Sequence, residues 1–201
     1  TWPARARIIA WSAAASAAPA RRMRIGISLD RGRGMGESLG WRARSLPRFC
    51  HAQKNAFSFF VMYANIDGYA GDPERVPSPT DPLDRWILAV LRDCCSEVGE
   101  AFETYHLNRS LAPVSQFIQD LTNWYIRRSR ERFWAAGLDA DKAAAYDTLY
   151  YALVTLAKIL APSAPFIAEK IYRVLTGRES VHLASWPKVP ESFRDPALVA
   201  K

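Results

Sequence analysis

The run Asn123-Trp124-Tyr125-Ile126-Arg127-Arg128-Ser129-Arg130-Glu131-Arg132-Phe133-Trp134 sets four arginines among aromatic residues. Guanidinium groups are planar, permanently charged forks that match phosphate oxygens, so this run could neutralise a polyanion. It continues an apolar pattern that starts near Leu111. On a helix Val114, Phe117, Ile118, Leu121, Trp124 and Tyr125 share one arc, because positions three and four apart stack on one side. Gln116, Asp120, Asn123, Arg127 and Arg130 fall on the opposite arc. This spacing predicts Trp124 and Tyr125 in a core, with Asn123, Arg127 and Arg130 facing solvent as candidate phosphate contacts. The same rotation carries Arg128 and Arg132 onto the apolar face. There each must be paired inside the fold or project beyond its end, so they are secondary candidates for the same contact. A core helix with a solvated basic end is the plainer reading of the same residues.

The elements that must hold this run are helical. Ala56 to Ala64 is strongly apolar and is stopped at Asn65-Ile66-Asp67-Gly68, where Gly68 suits a helix terminus. Residues 71–82 carry four prolines and predict a stiff, extended connector. Asp81 then reads as an N-cap with Pro82 at N1 and Asp84 at N3, favourable to the positive helix end. From Leu83 to Tyr105 apolar residues recur at helical spacing. Asn108 can cap the next helix, in whose early turns Pro113 falls, and Gly137 ends it. Asp139 or Asp141 starts another, with Tyr146, Leu149, Leu153 and Leu156 on its apolar side and Pro162 after it. Ser163 is expected to cap a shorter helix closed by Gly177. Ser180-Val181-His182-Leu183 and Trp186-Pro187 read as a brief extended segment, with His182 a structural histidine. The fold class expected is all-α: an antiparallel bundle of four to five helices over residues 54–187, followed by a tail at 188–201.

Residues 1–53 read differently. They are rich in Ala, Arg, Gly and Ser and keep no steady apolar period. A short signal-like segment at Ile8-Ile9-Ala10-Trp11 is weakly supported; a basic, unstructured arm or a stretch translated out of frame from GC-rich DNA fits better. The charge follows this division. The formal net charge is +7, but residues 1–54 hold +9 of it and residues 55–201 hold −2. Global charge therefore says little about the bundle, and the local arginine cluster carries the signal.

Inventory argues against catalysis within this chain. It has no Gly-rich phosphate loop before a helix, no G-x-S-x-G and no metal-ligand spacing. Cys50, Cys94 and Cys95 form neither a zinc pattern nor a disulfide framework, which suits a reducing cytoplasm. No apolar run is long enough to span a membrane.

From about Asn55 to Pro187 the chain resembles the anticodon-binding helical domain of isoleucyl-tRNA synthetases, a class I aminoacyl-tRNA ligase family. The matching pieces are Asn55-Ala56-Phe57-Ser58-Phe59-Phe60, Tyr63-Ala64-Asn65-Ile66-Asp67-Gly68, Leu83-Asp84-Arg85-Trp86-Ile87 and the whole of Asn123–Trp134. Leu153–Lys158, Leu160-Ala161-Pro162 and Ser180-Val181-His182-Leu183 with Trp186-Pro187 complete them. Some pieces look shared with valyl and leucyl enzymes, and a valyl-type domain is the nearest alternative. The resemblance implies tRNA as partner through its anticodon stem-loop, for which the helical arc offers Arg127, Arg130 and Asn123, and secondarily Arg128 and Arg132, as contacts. It also implies that ATP and Mg serve the complete enzyme, whose catalytic and editing domains would be further partners, and that this bundle alone binds no cofactor and cannot form the adenylate. Gly34-Met35-Gly36-Glu37-Ser38-Leu39-Gly40 only faintly resembles the family's Lys-Met-Ser-Lys-Ser loop, and a carboxylate at Glu37 would repel a triphosphate. A helical protein-interaction module working through Trp134 is the reading from another class.

Overall fold

Asp81 accepts hydrogen bonds from the N–H groups of Leu83 at 2.7 Å and Asp84 at 3.3 Å, and Pro82 occupies N1. This cap starts a helix of 22 residues where the sequence predicted it, because the side-chain oxygen satisfies two of the donors a helix start leaves open. The computed structural model describes residues 36–199 except Asn108, with side chains from His51 onward. The chain runs α1 (Gly36–Asp67), α2 (Pro82–Glu103), α3 (Leu111–Gln119), a π-helical segment (Asp120–Ile126), α4 (Arg130–Trp134), α5 (Ala140–Leu160) and α6 (Pro165–Thr176). Two 3₁₀ turns, Val181–Leu183 and Glu191–Phe193, precede α7 (Pro196–Val199). Among the described residues there is no strand, and five helices have nine or more residues. Phe49 to the end forms one compact unit, and the packing below lies within it. No helix of the described residues is long and apolar enough to cross a membrane.

α5 is the centre of the bundle. Tyr146, Leu149, Leu153 and Leu156 are fully buried as expected, but so are Ala145, Thr148 and Ala152 on its other sides. A helix covered all round has neighbours on every face; here they are α2, α4 and α6, with the aromatic end of α1 completing the shell. Phe60 meets the rings of Tyr146 and Tyr150 at 6.1 and 5.9 Å, and Phe59 meets Phe133 edge-on at 5.3 Å. Such tilted and edge-on pairs put the positive rim of one ring toward the negative face of the next.

The connector after Gly68 is clamped to α5. Tyr69 stacks on Tyr146 at 4.8 Å and donates to Asp147 at 2.6 Å, and Arg75 reaches the same carboxylate at 3.1 Å. Gly71 lies so close to the Tyr150 ring that a methyl group there would overlap it. That ring is buried and its hydroxyl donates to the Leu175 carbonyl at 3.1 Å, so it cannot swing aside freely. Gly71→Ala is expected to cost about 1–3 kcal/mol by overpacking. Urea unfolding followed by circular dichroism measures it; an unchanged midpoint would show that the connector yields instead.

Several terminators sit where the sequence placed them. Gly68 and Gly177 adopt φ of +67°, the left-handed conformation that closes a helix and that glycine enters without a Cβ penalty. Asp139 caps α5 through the Lys142 N–H at 2.7 Å. Other expectations need correction. Tyr105, assigned to the apolar stripe of α2, lies beyond the helix at φ +58° and is 87% exposed. The His106 N–H returns to the Ala101 carbonyl at 2.8 Å, so a tyrosine holds the left-handed closing position usually given to glycine. The cap proposed for Asn108 lies outside the described residues. Ser110 stands before α3 without a side-chain cap, and Pro113 falls in the first turn, where its missing N–H is not needed. Ser163 does not cap α6; Ala164 holds that position and Pro165 follows at N1. The segment at Ser180 is a 3₁₀ turn rather than extended, because Ser180 and Glu169 bind its free N–H groups, and His182 there is exposed.

Residues 36–53, expected to be irregular, form the first half of α1. The arm, signal-like and out-of-frame readings of residues 1–35 lie outside the described residues. Of the stretch 188–201, expected as a tail, the described part is tied back to α2 through two residues: Arg92 grips Glu191 at 2.7 and 2.8 Å, and Arg85 meets Asp195 at 2.7 Å.

Candidate nucleic-acid interface

α3 reaches the arginine run through seven residues of π-helix, Asp120–Ile126. A π turn is wider than an α turn and leaves carbonyls without their usual donors. Here the Thr122 hydroxyl donates to the Ile118 carbonyl at 2.8 Å, four residues back. Gln116 holds the buried Asp120 at 3.1 Å, which fixes the start of the segment. The wider turn shifts the helical register. Upstream, Val114, Phe117, Ile118 and Leu121 are buried as predicted; downstream the buried positions are Tyr125, Ile126, Ser129 and Phe133.

This register shift corrects two expectations. Trp124, assigned to the core, is 53% exposed, whereas Tyr125 beside it is fully buried. Arg128, expected on the apolar face, is exposed. Its guanidinium carbon lies 5.2 Å from the centre of the Trp124 ring, within cation–π range. Asn123, Arg127 and Arg130 are exposed as the spacing predicted. None of Arg127, Arg128 and Arg130 forms an ion pair among the described residues.

Arg132 has another part. Its side chain is 16% exposed and sits between Asp84 and Asp141. Two guanidinium nitrogens donate to the two oxygens of Asp84, each at 3.0 Å. Nε and a terminal nitrogen donate to Asp141 at 2.8 and 2.7 Å, and the Asp141 carbonyl accepts at 3.0 Å. Tyr125 completes the network by donating to Asp84 at 2.6 Å. Burial works against the charge on Arg132, but the hydrogen bonds it donates to Asp84 and Asp141 outweigh that and raise its pKa above the ordinary arginine value. The Tyr125 hydroxyl is likewise pushed well above its ordinary pKa, first by burial and then by the Asp84 charge. Of the two outcomes the sequence left for Arg132, internal pairing is the one realised. With both edges of its fork engaged, it offers little to a phosphate and instead fixes α4 to the starts of α2 and α5.

The sequence reading missed Asp84, Lys142 and Asp67 as partners in buried polar networks. Asp84 was read only as a helix-dipole residue, although its side chain is 0% exposed. Lys142 is 2% exposed and donates to Asp67 at 2.7 Å and to the Ala135 carbonyl at 2.8 Å. Trp134 is 58% exposed, but its indole N–H is engaged by the Tyr63 hydroxyl at 2.7 Å.

Together, the geometry presents three exposed arginines, an asparagine and an indole from the last π turn through the start of α4, residues 123–130. Behind this stretch a buried ion-paired network holds the backbone still. Such a stretch can neutralise phosphates and can offer a flat face to a planar group.

A family model described as the anticodon-binding domain of tRNA ligase matches residues 84–200. The chain is 45% identical over 147 residues to the isoleucine–tRNA ligase of Porphyromonas gingivalis, covering 72% of this chain and 13% of that protein. It is 41% identical over 154 residues to isoleucine–tRNA ligase 2 of Bacillus cereus, covering 77% and 15%. The chain thus spans about one seventh of the length of the curated relatives it matches. Among solved structures, a LeuRS–tRNA–LeuAMS ternary complex from Agrobacterium radiobacter K84 contains a chain with a similar fold, at a TM-score of 0.55 and 19% identity, covering 78% of this chain and 17% of that one. The chain, similar over three quarters of its length to isoleucine–tRNA ligases, belongs to the family of anticodon-binding domains of tRNA ligases.

Proposed function

We propose that this bundle binds isoleucine tRNA at the anticodon stem-loop, as the anticodon-binding part of a cytoplasmic ligase that joins isoleucine to that tRNA using ATP. The observation that carries the reading is the exposed set Arg127, Arg128 and Arg130 beside Asn123, free of internal carboxylates among the described residues. Arginines held on a rigid helix but not paired are available to phosphate, whereas Arg132 is already used. The bundle itself is expected to hold neither ATP nor Mg. On this reading both act in the catalytic part of the complete ligase.

The full chain should bind isoleucine tRNA with an affinity that falls steeply with salt, and should prefer it over an unrelated tRNA. Arg127→Gln with Arg130→Gln should lower the log–log salt slope by roughly 1.4–1.8, since each lost phosphate contact removes about 0.7–0.9. Fluorescence anisotropy across a salt series measures both quantities. An unaltered slope in the double variant would remove these two arginines from the interface.

A further inference from the structure

Trp124 presents an unexplained feature. A large indole that the apolar pattern directs inward is turned out by the π-helical segment, and more than half of it stays in solvent. The segment is not a loose turn: the Thr122 hydroxyl bond to Ile118 and the Gln116–Asp120 bond tie its start to α3. Tyr125, the next residue, is anchored on Asp84 and so fixes where the backbone of Trp124 lies. Arg128 lies over the ring at 5.2 Å, and no hydrogen bond engages the indole N–H among the described residues, unlike that of Trp134. The result is a flat, electron-rich surface with a stackable guanidinium beside it, flanked by Arg127 and Asn123.

We propose that Trp124, with Arg128 across it, is a stacking platform for one unpaired base of the bound RNA. The inference rests on the tRNA reading above and specifies which part of the RNA the stretch takes. Phosphate neutralisation alone would need no aromatic surface, and a base-paired stem has no free base face to offer. An unpaired loop base does, and its π-face can lie on an indole or a guanidinium plane whatever its identity. Arg127 and Arg130 would hold the adjoining backbone, so the platform sets where on the strand the cluster sits.

The test uses the full chain, isoleucine tRNA and copies of that tRNA in which anticodon-loop bases are replaced one at a time by abasic sites. Because Trp124 is exposed, Trp124→Leu should leave the circular dichroism spectrum unchanged. It should weaken binding roughly 5- to 150-fold without altering the salt slope, since a stacked base and not a phosphate contact is lost. Trp124→Phe should restore most of the affinity. One abasic position should cost a similar factor, and its effect should vanish in the Trp124→Leu background. If Trp124→Leu binds as tightly as the unaltered chain while salt-dependent binding persists, the platform is overturned and the tRNA reading stands. The platform also fails if Phe does not rescue, or if the slope falls with Leu. Absence of any salt-dependent tRNA binding by the unaltered chain would overturn both.

Discussion

Replacing Arg132 by leucine is expected to destabilise the bundle by about 3–5 kcal/mol, because it strands a carboxylate that has no exposed surface. Asp84 would keep the Tyr125 hydroxyl but lose both guanidinium bonds, each 3.0 Å long. Asp141, whose side chain is 55% exposed, would hydrate instead and add little to the loss. For a unit of this size each kcal/mol shifts the melting temperature by roughly 2–4 °C, so a fall of about 6–20 °C is expected. Arg132→Leu combined with Asp84→Leu should recover a large part of the loss, since an apolar pair removes the buried charge as well as its partner. The comparison separates two accounts of the network. If the single variant costs less than about 1 kcal/mol, water already serves Asp84 and the network is ornamental. If the double variant is no better than the single, the arginine acts through packing of its stem and not through its charge.

The same network shows how far the sequence could be read. That Arg132 must either pair inside the fold or project beyond its end followed from its helical phase alone. Which partner did not, because Asp84 lies 48 residues away and becomes adjacent only when α2 packs beside the π segment. The helix starts and stops were legible where a side chain or a glycine acts within a few residues, as at Asp81, Asp139, Gly68 and Gly177. The outward turn of Trp124 and Arg128 was not legible, because a period of 3.6 residues was carried through a segment that does not keep it. Thr122 gives no signal of it, since Thr176 bonds the carbonyl four residues back in the same way within regular α6. Ser163 failed as a cap because Pro165 moved the helix start one residue on. Family membership was legible without the fold, since the residues that carry it include those that make the networks: Asp67, Asp84, Tyr125 and Arg132.

Lys142→Met should cost about 3 kcal/mol at neutral pH, and the cost should shrink on acidification. Lys142 is 2% exposed and its ammonium lies 2.7 Å from Asp67, which also accepts from the Tyr146 hydroxyl. Burial is the largest single influence on Asp67 and would raise its pKa. The hydrogen bonds from Lys142 and Tyr146 and the Lys142 charge together outweigh it, so the carboxyl titrates below its ordinary range. A depressed pKa in the folded state contributes stability above the unfolded value, near 3.9, and this is lost as pH falls through the folded value. The unaltered chain should therefore lose this contribution below about pH 4. In the methionine variant the lowering influence of Lys142 is gone while burial remains, so Asp67 protonates at higher pH and the variant has less left to lose. The Ala135 carbonyl also loses its donor, but Ala135 is exposed and water replaces the bond at small cost. Urea unfolding of both proteins from pH 7 to pH 3 should show the two stabilities converging. A gap that stays constant with pH would assign the loss to the methylene packing of Lys142 rather than to its charge, because packing does not titrate.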